Sequence, residues 1–164
     1  MPGAGKSTLG VVLAKKLGKR FVDTDLLIQE GTGKLLSELL EEHGVDGFID
    51  IENKILRGLE CENHVIATGG SAVYGEDAMR HFREIGIVVF IDIDPAELHT
   101  RLHTDLNERG VVIHEGGTLE DLYDERHPLY LRYADVRMNT SGLSTQEAVE
   151  MLYETVRKAL LWRT

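Results

Sequence analysis

The first eight residues, Met1-Pro-Gly-Ala-Gly-Lys-Ser-Thr8, carry the residue types and spacing that grip phosphate. Glycines let a backbone turn tightly enough to aim successive N–H groups inward, and the amphipathic run Leu9 to Leu17 would start a helix whose positive end points at the same spot. Gly3, Ala4, Gly5, Lys6, Ser7 and Thr8 would then form an anion cradle, with the Lys6 ammonium on the β- and γ-phosphates of a nucleotide such as ATP and the Ser7 hydroxyl on Mg²⁺. This is the back two-thirds of the loop G-x-x-x-x-G-K-[ST], whose first glycine would fall one position before Met1. Such a loop follows an apolar strand, so a β-rich segment of roughly ten residues is expected ahead of Met1.

Carboxylates, glycines and arginines further along could complete a site. Asp23-Thr24-Asp25 closes the short apolar run from Arg20, and read as extended backbone it would turn both carboxylates toward the mouth of the loop. One could hold Mg²⁺ through water and the other take a proton from a substrate hydroxyl; either could instead cap the next helix. Asp92, at the end of Val88-Val-Phe-Ile-Asp92, is a rival metal-side carboxylate, although the tandem acids favour Asp23. Gly69 and Gly70 follow another strand-like run and would present bare backbone to a ligand or simply form a turn. Arg109 lies in a polar, Gly-punctuated stretch, 104–117, that reads as a mobile lid or as a surface loop. A lid arginine can stabilise a transferring phosphoryl group, whereas Arg109 and Arg126 taken alone also suit solvated surface. His99 and His103 stand one helical turn apart, but no third metal ligand falls at a convincing spacing.

The elements that must position these groups alternate in type. Short β-branched runs at 20–23, 64–68, 87–93 and 136–139 read as strands. Between them, helical spacing covers 6–17, 34–43, 48–59, 77–85, 95–103, 119–133 and 144–162, the last opening with the Ser144/Glu147 capping-box pair. This alternation predicts α/β layers in a single domain spanning residues 1–164. Eighteen Lys and Arg against 28 Asp and Glu leave a net charge of −10, which argues against binding nucleic acid or an anionic bilayer. One cysteine excludes an intramolecular disulfide, and no apolar run approaches the ~20 residues of a membrane span. A cytoplasmic monomer is the expectation.

The order of the motifs resembles the shikimate kinase family, within the nucleoside-monophosphate-kinase-like group of P-loop enzymes. Gly3-Ala-Gly-Lys-Ser-Thr8, Asp23-Thr-Asp25, Gly47-Phe48 with Glu52, Gly69-Gly70, a lid holding Arg109, Arg126 with Pro128-Leu-Tyr130, and Ala134-Asp135 all occur in that family's order. The resemblance implies a three-layer α/β sandwich with a five-stranded parallel sheet, its first strand missing from this sequence, and a lid. It further implies transfer of the γ-phosphate of MgATP to a hydroxyl of shikimate or a related small polar acceptor. By the same resemblance Asp23 is the metal-side carboxylate, Asp25 binds and polarises the acceptor hydroxyl, and Lys6 and Arg109 stabilise the phosphoryl charge. Gly69, Gly70 and Arg126 contact the acceptor, and Arg101 stacks on adenine. Three positions depart from the pattern: Phe48-Ile49 replaces a Phe-Arg pair, Ser71 replaces a third glycine, and the lid reads Arg109-Gly-Val-Val112 in place of Arg-Pro-Leu-Leu. A lost bidentate arginine contact is worth about 1.5–3 kcal/mol, so the acceptor pocket is altered while the phosphoryl machinery is kept. A nucleotide-binding regulatory module, or a kinase for another small metabolite, stays open as an alternative.

Overall fold

The structure, a computed structural model, describes residues 1–102, 111–112 and 116–162. Its elements run α1 (Lys6–Leu17), β1 (Arg20–Asp23), α2 (Thr24–Thr32), α3 (Leu36–Leu56), β2 (His64–Ala67), a 3₁₀ turn (Gly70–Tyr74), α4 (Glu76–Ile85), β3 (Val89–Asp92), α5 (Pro95–Arg101), α6 (Leu119–Tyr133), β4 (Val136–Asn139) and α7 (Thr145–Leu161). Helices flank parallel strands, the expected α/β architecture. β1 pairs with β2 in parallel, Asp23 beside Ala67, and β3 pairs with β4, Asp92 beside Asn139. These are two separate two-stranded sheets, and among the described residues no strand joins β2 to β3.

α1 lies across β1 and β2 and packs on α7, burying Leu9 and Leu13 with Ile91, Met138, Val149 and Leu152. Gly10 permits that approach, because a Cβ there would sit 2.9 Å from the Phe21 ring. A second apolar cluster, Ile28, Leu39, Phe48 and Val112, fixes α2 against α3. The predicted Ser144 capping box is present, with the Ser144 hydroxyl receiving the Glu147 N–H at 3.3 Å and Glu147 receiving the Ser144 N–H at 2.8 Å.

One expectation is corrected. Asp23-Thr24-Asp25 is not a continuous extended segment, because Thr24 opens α2 and places Asp25 in its first turn. The two helices expected at 34–43 and 48–59 are present as the two arms of α3, which is interrupted at Gly44 (φ 68°, ψ −178°), a non-helical, left-handed conformation that suits glycine. Gly70 opens a 3₁₀ turn, in keeping with the turn reading of Gly69-Gly70. Most of the expected lid, including Arg109, lies outside the described residues, as does His103.

Candidate active site

The site grows from the start of α1. Gly3 (φ 73°) and Gly5 (φ 84°) both take left-handed backbone, and Gly5 caps the helix with no side chain bonded to its free N–H groups. Alternation of this kind turns successive amides toward one point, and the helix adds its positive end there. Leu102, just past α5, packs against Gly3 so closely that a Cβ would lie 2.9 Å from it. Lys6 donates a 2.7 Å hydrogen bond to the Met1 carbonyl and so arches back over the loop. Burial lowers its ammonium to about 8, reinforced by Arg126 and opposed by Asp25 and Asp23.

β1 delivers the carboxylates beside this loop. The Ser7 hydroxyl donates to Asp23 Oδ2 at 2.6 Å, while Asp23 Oδ1 accepts the Asp25 N–H at 3.0 Å. Asp23 therefore caps α2 and faces the phosphate loop at once, since each duty uses a different oxygen. A hydroxyl and a carboxylate so placed are the hard oxygen donors that a divalent cation such as Mg²⁺ prefers. Asp25 has its carboxyl raised above the usual range, first by burial and then by the Asp23 charge, with Lys6 opposing. The rival Asp92 is buried and held by Arg137 at 2.6 and 2.9 Å, and the Ile93 N–H adds a further bond at 3.0 Å.

The end of β2 closes the site. Gly69 donates to the Thr24 hydroxyl at 3.1 Å, and a Cβ on it would stand 2.7 Å from Asp25 Oδ1 and 2.9 Å from Glu52 Oε1. A Cβ on Gly70 would stand 3.0 Å from an Arg126 Nη1, and the Gly70 carbonyl accepts from Tyr130 at 2.7 Å. Arg126 is fully buried: its Nε donates to the Tyr74 hydroxyl at 3.0 Å, its Nη2 to the Val112 carbonyl, and its guanidinium lies 5.0 Å from the Tyr74 ring centre. The backbone and side chains of Asp25, Gly69, Gly70 and Arg126 thus converge beside Lys6, Ser7 and Asp23.

Glu52 is the residue that spacing alone left without a role. It is 2 % exposed, and neither carboxylate oxygen has a partner of hydrogen-bonding geometry, although the Ser71 hydroxyl is close enough to act on it. Burial raises its carboxyl to about 7, with Asp25 adding to the effect and Ser71, Arg126 and Lys6 opposing it. The signal available in the sequence was its place in the family's motif order, with Gly47-Phe48, three residues after Ile49. Thr24 and Tyr130, which hold Gly69 and Gly70, fall inside motifs of the resemblance without a role of their own, and Tyr74, which holds Arg126, carried no signal.

Arg101 stands apart from this cluster. It pairs with Glu97 at 2.6 Å at the end of α5, one residue before the Leu102 that packs on Gly3. His99 is paired with Glu120, and among the described residues no group of three His, Cys, Asp or Glu is placed to hold a metal.

A glycine cradle opening a helix, with a hydroxyl–carboxylate pair at its mouth and parallel strands behind it, defines a P-loop nucleotide-binding protein of the α/β class. The family model described as shikimate kinase matches residues 2–157. Shikimate kinase of Persephonella marina is 33% identical over 156 residues, covering 94% of each chain, and that of Clostridium botulinum 37% identical over 150 residues, covering 91% of this chain and 88% of its own. The crystal structure of shikimate kinase from Bacteroides thetaiotaomicron superposes with a TM-score of 0.78 at 32% identity, covering 95% of this chain and 94% of that one. The solved structure of shikimate kinase from Acinetobacter baumannii in complex with shikimate gives a TM-score of 0.80 at 26% identity, covering 96% of this chain and 89% of that one. The chain belongs to the shikimate kinase family.

Proposed function

We propose that the protein is a phosphotransferase that moves the γ-phosphoryl group of ATP, with Mg²⁺, onto an alcohol group of shikimate, and that its residues divide the work as follows. Gly3, Ala4, Gly5 and Thr8 cradle the phosphates with Lys6 and Ser7, and Arg101 flanks the adenine. Ser7 and Asp23 hold Mg²⁺, which when bound neutralises charge on the β- and γ-phosphate oxygens. Asp25 accepts the proton of the acceptor hydroxyl, a task its raised pKa suits. Lys6 and Arg109 offset the charge on the transferring group. Gly69 and Gly70 let the acceptor approach the backbone, and Arg126 receives its carboxylate.

The observation that carries this reading is the Ser7–Asp23 hydrogen bond, which sets a carboxylate at the mouth of the phosphate loop with Asp25 two residues on. Ile49, where the family pattern has arginine, packs against the apolar cluster of Phe48 and Val112 and offers the acceptor no charge. Shikimate therefore binds about tenfold or more weakly than a site with both arginines would hold it. The protein works as one domain and a monomer in the cytoplasm, without nucleic acid or membrane. The net charge of −10 argues against nucleic acid and an anionic bilayer as partners, and no helix among the described residues is long and apolar enough to cross a membrane.

A coupled ADP-release assay with shikimate, other hydroxy acids and nucleoside monophosphates tests the proposal. Turnover that depends on shikimate is expected. ATP binding with no acceptor-dependent turnover, in the native chain and in Ile49→Arg alike, would favour a regulatory nucleotide-binding module instead.

A further inference from the structure

Arg126 is gripped by the same turn that follows Gly69. The 3₁₀ turn runs from Gly70 to Tyr74, and both of its ends meet the guanidinium: a Cβ on Gly70 would stand 3.0 Å from Nη1, while the Tyr74 hydroxyl accepts from Nε at 3.0 Å. The Tyr74 ring lies against the group, its centre 5.0 Å from Cζ. The hydroxyl in turn donates to Glu125 Oε1 at 2.8 Å, one residue before Arg126 on α6. Burial raises the hydroxyl above its ordinary pKa, with Arg126 opposing, so the proton stays on the oxygen. A neutral hydroxyl has a single proton, and with that proton on Glu125 its lone pairs are left to face Arg126.

We propose, on the reading that Arg126 receives the acceptor's carboxylate, that Tyr74 is a positioning residue which fixes the rotation of that guanidinium and so selects the edge it turns to the acceptor. Nε and Nη2 share one edge of the planar group. Tyr74 occupies Nε and the Val112 carbonyl occupies Nη2, which closes that edge to a ligand. A carboxylate is matched by two parallel N–H groups, and the pair left to it is Nη1 with the second proton of Nη2. The ring alone would not make this choice, because cation–π attraction holds the group near the ring without fixing which N–H points where. The hydroxyl does fix it. Ile49 offers no charge, so recognition of the carboxylate rests on this one guanidinium and on its orientation. Without the hydroxyl a buried Nε–H loses its acceptor, and Glu125, released from the same oxygen, becomes a competing carboxylate beside Arg126.

The test is calorimetric binding of shikimate and of its methyl ester, which lacks the carboxylate charge, to the whole chain in four forms: native, Tyr74→Phe, Arg126→Lys and the double variant. It needs no turnover, and binding of the ester reports whether each variant keeps its fold. Tyr74→Phe retains the ring and removes only the hydroxyl. The Kd for shikimate is expected to rise about tenfold, and that for the ester to stay within about twofold. In the kinase assay the KM for shikimate should rise alike, with kcat and the KM for ATP within about threefold. Arg126→Lys has no Nε for Tyr74 to hold, so adding Tyr74→Phe to it should change the shikimate Kd by less than about twofold. Equal weakening of both ligands by Tyr74→Phe, or additive effects in the double variant, overturns the proposal by reducing Tyr74 to packing. Native shikimate binding in Tyr74→Phe beside weakened binding in Arg126→Lys overturns it while sparing the Arg126 reading. Native binding in Arg126→Lys overturns that reading, and the role of Tyr74 with it.

Discussion

Replacing Gly69 with alanine crowds the carboxylates of Asp25 and Glu52. Gly69 has φ −54° and ψ 157°, a conformation alanine adopts freely, so the backbone need not object. The added methyl, however, would stand 2.7 Å from Asp25 Oδ1 and 2.9 Å from Glu52 Oε1, against ordinary contact from 3.4 Å. Asp25 must withdraw by about 0.7 Å or the β2 terminus must lift by as much. A misplacement of about 1 Å at a reacting group can cost 10²-fold, so kcat should fall by about tenfold to a hundredfold. Stability should hardly change, because alanine at a permitted conformation restricts the unfolded chain by about 0.4–1 kcal/mol and so offsets the local crowding. Steady-state ADP release at saturating MgATP, with shikimate varied, gives kcat, and thermal unfolding of the same sample gives the stability. The KM for ATP should stay within twofold, since the methyl touches no part of the loop. A native kcat in a folded Gly69→Ala protein would refute the idea that the Asp25 position governs the transfer.

Three other outcomes follow from the same geometry. Ser7→Ala removes the 2.6 Å hydrogen bond to Asp23 and one oxygen donor, so the Mg²⁺ concentration for half-maximal activity should rise about tenfold, read from a Mg²⁺ titration of ADP release. Lys6, with its pKa lowered to about 8, must be protonated to offset phosphate charge; kcat/KM for ATP should fall as pH rises through about 8, and Lys6→Arg should lose that basic limb. Glu52 has a folded-state pKa near 7 against an ordinary 4.5, so the folded protein binds more protons between those values. Its contribution is therefore fully present below pH 4.5 and lost as pH rises through 7, and urea midpoints should decline less over that range in Glu52→Gln.

The parts of the fold written in local chemistry were legible. α1, β1, α6 and β4 have the bounds that periodicity and punctuation predict, because each is a single amphipathic or β-branched run ending at a polar or glycine residue. The Ser144 box was legible because both of its partners lie within one turn. α2 was not, because its helix begins inside the acidic tripeptide, carries Gly31 and ends at Gly33, which obscure the pattern. Asp23 posed a choice between helix cap and metal-side group that a carboxylate with two oxygens does not have to make. Glu52 and Thr24 reach the site only because α3 and the end of β2 converge there. Such long-range convergence leaves no periodic trace in a sequence.

The central claim is that the loop, the Ser7–Asp23 pair and Asp25 act as one phosphoryl-transfer site. It is tested most directly by following shikimate-dependent ADP formation in the native chain and in Asp25→Asn, with ATP affinity measured on both. The account predicts native turnover, a kcat lower by about 10²–10⁴-fold in Asp25→Asn, and ATP affinity kept within a few-fold. Native kcat in Asp25→Asn would contradict it.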